Sequence, residues 1–216
     1  MTHLLVAGKL HHAGVARLDA LKSTGVKVTY IEEISEPSYA DHIVHADALV
    51  IRTQPLSAAT IARADNLQIV SRHGVGFDAV DVDALNKRGI PLAIVGDVNS
   101  VSVAEQAMMQ LLAGAKQAIR ADRAVRDPAK WGWRNRLEQR EISGKNLLII
   151  GYGRAGRKLA RMAAGFDMSI RAFDPYLNSK GWPEGPVRPA ETLNQGLAWA
   201  DCLSLHIPPD KTPVLD

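Results

Sequence analysis

The sequence predicts an α/β protein of two doubly wound parallel-sheet domains. Three observations predict it. Short apolar runs of strand length alternate with helical patterns in both halves of the chain, the spacing of strand–helix–strand units. A turn-rich stretch, "GDVNS" (96–100), interrupts the alternation, which places a boundary near residue 98 and gives segments 1–98 and 99–216. A glycine-punctuated turn, "GYGRAG" (151–156), then joins an apolar run to a helical stretch.

In the first segment, "HLLVAG" (3–8) reads as a buried strand. "HAGVARLDALKSTG" (12–25) reads as a helix closed at Gly25, where a left-handed cap costs least. β-Branched alternation makes 26–31 a second strand. Further strands are read at 48–52, 67–72 and 90–95, with helices at 57–64 and 80–89. From Val101 the pattern changes to one long, partly buried helix over 101–125, ended by Pro128 and Gly132. The second series runs from the strand Leu147–Ile150 through the glycine turn and a helix to the strand 169–173.

Composition narrows the function classes. Hydrophobic residues make up 46% and charged residues 23% of 216, enough for one large core or two smaller ones. The formal charge is +3, from 26 basic against 23 acidic side chains, and no basic block stands out. "RNRLEQR" (134–140) reads as a solvated face, so no nucleic-acid partner is expected. One cysteine, Cys202, forms neither an internal disulfide nor a cysteine-rich metal site, so no metal is expected and a reducing, cytoplasmic setting fits. No apolar run approaches the roughly 20 residues of a membrane span, so no membrane partner is expected either.

"GYGRAG" is G-x-G-x-x-G, and each glycine has a physical reason. Gly151 permits the tight turn, Gly153 lets backbone approach a pyrophosphate, and Gly156 lets the helix pack close to the strand. The free amides of the new helix, near Arg154 and Ala155, point at the anion. A strand precedes the motif, a helix follows, and the next strand ends in Asp174, 23 residues after Gly151. An acid there suits the adenosine ribose hydroxyls and repels a 2′-phosphate, so NAD is expected over NADP. Arg154 and Arg171 are close enough in sequence to soften that preference.

A second turn, "RHGVGFDAVD" (72–81), also follows a strand, with only G-x-G. Two glycines around Val75 let successive amides converge into a small anion nest. Arg52, Arg72 and His73 end or follow nearby strands. Either they serve a carboxylate through forked donors, or they are structural charges and a structural histidine.

Five ordered stretches now carry a resemblance: "RHGVGFDAVDVDALNKRGIPL", "NSVSVAEQAMMQLLAGAK", "GKNLLIIGYGRAGRKLA", "AFDPY" and "LSLHIP". In order and spacing they resemble the D-isomer-specific 2-hydroxyacid dehydrogenases, the group that includes D-3-phosphoglycerate dehydrogenase and hydroxypyruvate reductase. The resemblance implies a flavodoxin-like substrate domain and a Rossmann NAD domain, the second incomplete. It implies that Gly74, Val75 and Gly76 form the substrate-carboxylate loop, with Arg52, Arg72 and His73 beside it. Val103, Gly151, Tyr152, Gly153, Arg154, Ala155, Gly156, Asp174, His206 and Pro208 are the implied NAD-binding residues. The segment 101–140, with Trp131 and Trp133, is the implied homodimer face. Gln106 departs from the histidine common after V-A-E, and Ile94 from a usual asparagine. Gln54 is uncharged where a phosphate-binding member could use a cation.

The implied activity is NAD-linked hydride transfer on a small D-2-hydroxy or 2-keto acid. That chemistry needs a proton donor and a cation to polarise the carbonyl. The family places its arginine, acid and histidine after the "LHIP" strand, so no catalytic residue is expected within this sequence and a C-terminally truncated chain is the expectation. A non-catalytic NAD-binding module, corepressor-like or a pseudoenzyme, is the alternative. The "GVGFDAVD" motif argues against other two-domain dinucleotide enzymes.

Overall fold

A computed structural model describes residues 2–208. The chain divides into two compact units, Met1–Val98 and Asn99–Asp216.

The first unit runs β1 (His3–Ala7), α1 (His12–Lys22), β2 (Lys27–Ile31), α2 (Pro37–Ala40), β3 (Ala48–Ile51), α3 (Ala58–Ala62), β4 (Ile69–Arg72), α4 (Val82–Lys87) and β5 (Leu92–Ile94). All strands pair in parallel, in the order β2-β1-β3-β4-β5. This is the flavodoxin-like doubly wound order, whose strand order reverses between β1 and β3. Strands covered on both faces must be apolar throughout. Leu5, Val6, Leu49 and Ile51 are fully buried accordingly, with Tyr39, Ile61 and Leu85 closing the core from the helices.

The second unit runs α5 (Ser100–Ala115), α6 (Ala118–Arg126), a 3₁₀ stretch (Pro128–Arg136), β6 (Asn146–Ile150), α7 (Arg154–Ala164), β7 (Ser169–Phe173), α8 (Pro175–Lys180), β8 (Arg188–Pro189), α9 (Leu193–Trp199) and β9 (Cys202–Leu205). Its parallel sheet has the order β8-β7-β6-β9. That matches the first four strands of a Rossmann sheet, 3-2-1-4, with reversal between β6 and β9. Leu147 and Ile149 face α5 and α7, while Leu148 and Ile150 face α9.

The single helix expected over 101–125 is two. Gln117 turns left-handed at φ 54°, with its amide and its side-chain Nε2 both donating to the Gly114 carbonyl. The apolar spacing runs on past this point, but the backbone axis resets there.

Candidate functional site

In open α/β sheets, ligands bind beyond the carboxyl ends of the strands at the reversal point. In the second unit that point lies between Gly151, after β6, and His206, after β9. The two segments touch, the His206 amide donating to Ile150 O at 2.7 Å, while Gly151 N donates to Phe173 O of β7 at 2.9 Å. Gly151 has φ +92°, and a Cβ there would stand 2.6 Å from His206 O. A Cβ on Gly156 would stand 2.3 Å from Gly151 O and 3.1 Å from the Ile149 side chain. Both glycines therefore serve the protein's own packing. Gly153 differs, since a Cβ there would meet nothing within 4 Å.

Gly153 is also the N-cap of α7 and offers no side-chain oxygen to the helix. The first amides of α7, from exposed Arg154 and half-buried Ala155, thus face open space at the positive end of an eleven-residue helix. Open backbone, unpaired donors and a neighbouring carboxylate are what a dinucleotide pyrophosphate and ribose require.

Asp174 does more than its position in the sequence suggests. Its Oδ2 accepts the Tyr152 amide at 2.9 Å, and its Oδ1 accepts the amides of Tyr176 and Leu177 at 3.0 and 3.2 Å. It therefore ties the glycine turn to β7 and caps α8, while remaining half-exposed. An aspartate followed by proline is an N-cap signature, so this second role was readable from "DP". The Tyr152 side chain turns away from the turn, its ring 5.7 Å from that of Trp182 and with the Arg157 guanidinium 5.6 Å from its centroid. Burial pushes its phenol above the ordinary tyrosine range. His206 is half-buried, with Nε2 3.0 Å from Ser204 Oγ, and burial lowers its pKa below the usual histidine value. Pro208 is exposed. Val103 is exposed on the first turn of α5, where Lys158 Nζ of α7 lies 2.5 Å from Ser100 Oγ.

In the first unit, the residues 72–76 form one loop. The His73 amide donates to Ile51 O at 2.7 Å, tying the loop to the end of β3, and the His73 side chain is exposed. Arg72 folds back so that a Cβ on Gly74 would meet its Nη1 at 2.8 Å, and that nitrogen donates to His73 O at 3.1 Å. Burial first, then the neighbouring Arg52 charge, lower the Arg72 pKa; Asp78 opposes them. Arg52 and Arg72 thus share one electrostatic neighbourhood. Asp78, three residues past Val75, is the member that sequence reasoning missed. Within the described residues the amides of Val75 and Gly76 make no hydrogen bond.

Gln54 is not a ligand-facing position. It is 1% exposed, its Nε2 donates to Glu33 O at 2.8 Å, and its Oε1 accepts the Thr53 amide at 3.0 Å. It fills the space above Gly8, so its lack of charge says nothing about substrate.

Among the described residues no histidine forms an ion pair with a carboxylate. Nor does any group of three His, Cys, Asp or Glu side chains suit a metal. His3 is spent on His45 O and Thr29 Oγ1 at 2.9 and 2.8 Å. No described helix is long and apolar enough to cross a membrane.

The fold and both loops define a two-unit α/β protein with a Rossmann-type glycine turn. The family model for the catalytic domain of D-isomer specific 2-hydroxyacid dehydrogenases matches residues 4–196, and the chain belongs to that family. It is 35% identical over 217 residues to D-3-phosphoglycerate dehydrogenase of Mycobacterium tuberculosis, covering 97% of this chain and 38% of that protein. It is 33% identical over 178 residues to hydroxypyruvate reductase of Thermotoga maritima, covering 82% of this chain and 56% of that one. The NAD complex of NAD-dependent formate dehydrogenase from Staphylococcus aureus shares the fold, with TM-score 0.83 and 20% identity over 96% of this chain and 65% of that one. The chain spans about two fifths of the length of the phosphoglycerate dehydrogenases it matches.

Proposed function

We propose that this chain supplies the binding half of an NAD-dependent D-2-hydroxyacid dehydrogenase. Its second unit holds NAD, and its 72–76 loop holds the carboxylate of a small 2-hydroxy or 2-keto acid. The observation that carries this is the division of labour in the glycine turn: Gly151 and Gly156 are crowded by protein, and Gly153 faces open space beside uncapped helix amides. When bound, NAD supplies the hydride acceptor and NADH the donor. The residues Arg154, Ala155 and Gly153 take the pyrophosphate, and the free lone pair of Asp174 Oδ2 takes a ribose hydroxyl. Val75 and Gly76 donate to the substrate carboxylate, with Arg52 and Arg72 offsetting its charge. Val103, His206 and Pro208 border the cofactor. The NAD-bound state of the formate dehydrogenase and the names of the two relatives support this reading.

We assign no proton donor among the described residues, where no histidine pairs with a carboxylate. The same observation favours the second reading, an NAD-binding module without turnover. An NADH-oxidation assay with glyoxylate, hydroxypyruvate, 2-ketoglutarate and phosphohydroxypyruvate decides, beside NADH fluorescence titration. Turnover with any of them excludes the module, NADH binding without turnover is compatible with both readings, and no NADH binding overturns both.

The same proposal makes the protein a cytoplasmic homodimer through 101–140. Val101, Val103 and Met109 of α5 are 40–48% exposed, as are Ile119, Val125 and Trp131 to between 46% and 71% beyond it, while Trp133 is half-buried. Aromatic and aliphatic residues of this kind favour interface cores. Light scattering at micromolar concentration showing only monomer refutes it.

A further inference from the structure

A groove of about 720 Å³ runs along the outer edge of the second unit's sheet. It opens beside the glycine turn and shares Tyr152 with it, whereas Gly151, Gly153, Asp174 and His206 do not line it. Four arginines from three elements line it: Arg157 and Arg161 of α7, Arg171 of β7 and Arg188 of β8. The one acid in the lining is the exposed Glu184.

This gathering of charge opposes folding. Arg171 and Arg188 stand in register on adjacent parallel strands, where like charges directly opposite are destabilising. Three other arginines of the unit find carboxylates: Arg126 lies 2.9 Å from Asp122, and Arg120 and Arg136 both pair with Glu138. Among the described residues none of the four groove arginines has such a partner within 4.0 Å. Two are instead held in place by aromatic faces. The Arg171 guanidinium lies 4.5 Å from the Trp199 ring centroid, and Arg157 packs on Tyr152 while its Nε donates to Tyr152 O at 3.1 Å. A guanidinium fixed this way loses little entropy when an oxyanion docks on its fork.

We propose that the groove is a binding site for a condensed phosphate chain, as found in inorganic polyphosphates and nucleoside triphosphates. A single carboxylate offsets one of the four cations, whereas a triphosphate carries three or more negative charges spread over a chain. The volume is in the range of ordinary small-molecule sites, about 300–1,000 Å³. Forked donors on several sides suit oxygens on successive phosphorus atoms. Binding relieves the repulsion between Arg171 and Arg188, so the ligand stabilises the unit by linkage.

The test is calorimetric titration of the whole chain with sodium tripolyphosphate, and separately with ATP, at about 0.15 M salt, where surface fields are screened within roughly 8 Å. Saturable one-to-one binding with a rise in Tm is expected. R161Q/R188Q, at two exposed positions, should weaken it at least tenfold while keeping the wild-type circular dichroism and NADH affinity. Tighter binding of ATP than of tripolyphosphate identifies a nucleotide as the occupant; equal binding identifies the phosphate chain alone. The proposal is overturned by no saturation at millimolar ligand, or by equal affinity in the double variant. Displacement of tripolyphosphate by one equivalent of NADH overturns it too, as does binding confined to heparin or DNA. The arginines then only guard an open sheet edge.

Discussion

The two units carry the same joint and use it differently. In each, a glycine after the first strand sits at positive φ, +115° for Gly8 and +92° for Gly151. Each donates its amide to the neighbouring strand, Gly8 to Ile31 O and Gly151 to Phe173 O. Each is pressed by the residue that follows the strand across the reversal point: a Cβ would stand 2.6 Å from Arg52 Cβ in one unit and 2.6 Å from His206 O in the other. The difference lies beyond the joint. Above Gly8 the Gln54 amide fills the space, and Tyr30 Oη accepts the Leu10 amide at 2.9 Å. Beyond Gly151 the helix begins at once and uncapped, with open space at Gly153. One joint is plugged and its anion loop displaced to 72–76; the other is left open. A reversal point is open to a ligand only where the chain leaves room and donors unfilled, as the second unit does at Gly153.

The largest expected effect breaks the open joint. Gly156→Ala drives a Cβ into the Gly151 carbonyl, a backbone atom that cannot swing aside. The cost should be about 3 kcal/mol, the upper end of ordinary overpacking. Thermal unfolding should show it, and NADH fluorescence titration should show loss of binding even where the variant stays folded. A variant with wild-type Tm and NADH affinity means that the helix does not rest on the strand as described.

The plugged joint is tested by Gln54→Ala. The substitution leaves Thr53 N–H and Glu33 O without their partner beneath a buried site. A loss of about 1–3 kcal/mol follows from an unsatisfied buried polar pair. NADH affinity should not change. A change in NADH affinity at constant Tm places Gln54 in the cofactor site after all.

Asp174 separates structure from selectivity. Asp174→Ala removes a cap worth about 1 kcal/mol and the tie to Tyr152, and should also narrow the NADH advantage over NADPH. Asp174→Asn keeps an N-cap oxygen and removes the charge. Its Nδ2 cannot accept the Tyr152 amide, so its Tm should fall, though less than that of Asp174→Ala, while the cofactor preference still narrows. Equal preference in wild type and Asp174→Asn shows that the carboxylate has only the structural role.

What could be read in advance follows burial. The central strands are apolar on both faces, so 48–52 and 147–150 stood out as runs. Strand β8 was illegible because two residues, one a proline, on a sheet edge carry no pattern. Helices α2, α8 and α9 hold at most seven residues, less than two turns of periodicity. The glycine spacing located the open joint, because sterics restrict each of its positions. The partners of Gln54 and Asp174 lie 21 and 22 residues away in sequence, and no local pattern encodes such bonds. The arginine groove escaped for the same reason, since β8 brings Arg188 opposite Arg171 only once the sheet has formed.

The smallest expected effect concerns the edge of the open joint. His206 is half-buried beside Ser204, and burial holds its pKa below the unfolded value of about 6.5. Between those two values the unfolded chain binds a proton that the folded chain does not. The stability associated with the neutral ring is therefore present above about pH 6.5 and is lost as pH falls through that region. His206→Gln keeps a hydrogen-bonding group near Ser204 Oγ without the titration. Urea midpoints measured from pH 7.5 to 5.5 should fall less steeply in the variant than in wild type. At Gly8, where the facing residue is Arg52 and not a histidine, no comparable difference should follow from Arg52→Gln. Parallel slopes in wild type and His206→Gln show that the imidazole is solvated in both states and that the open joint extends past it.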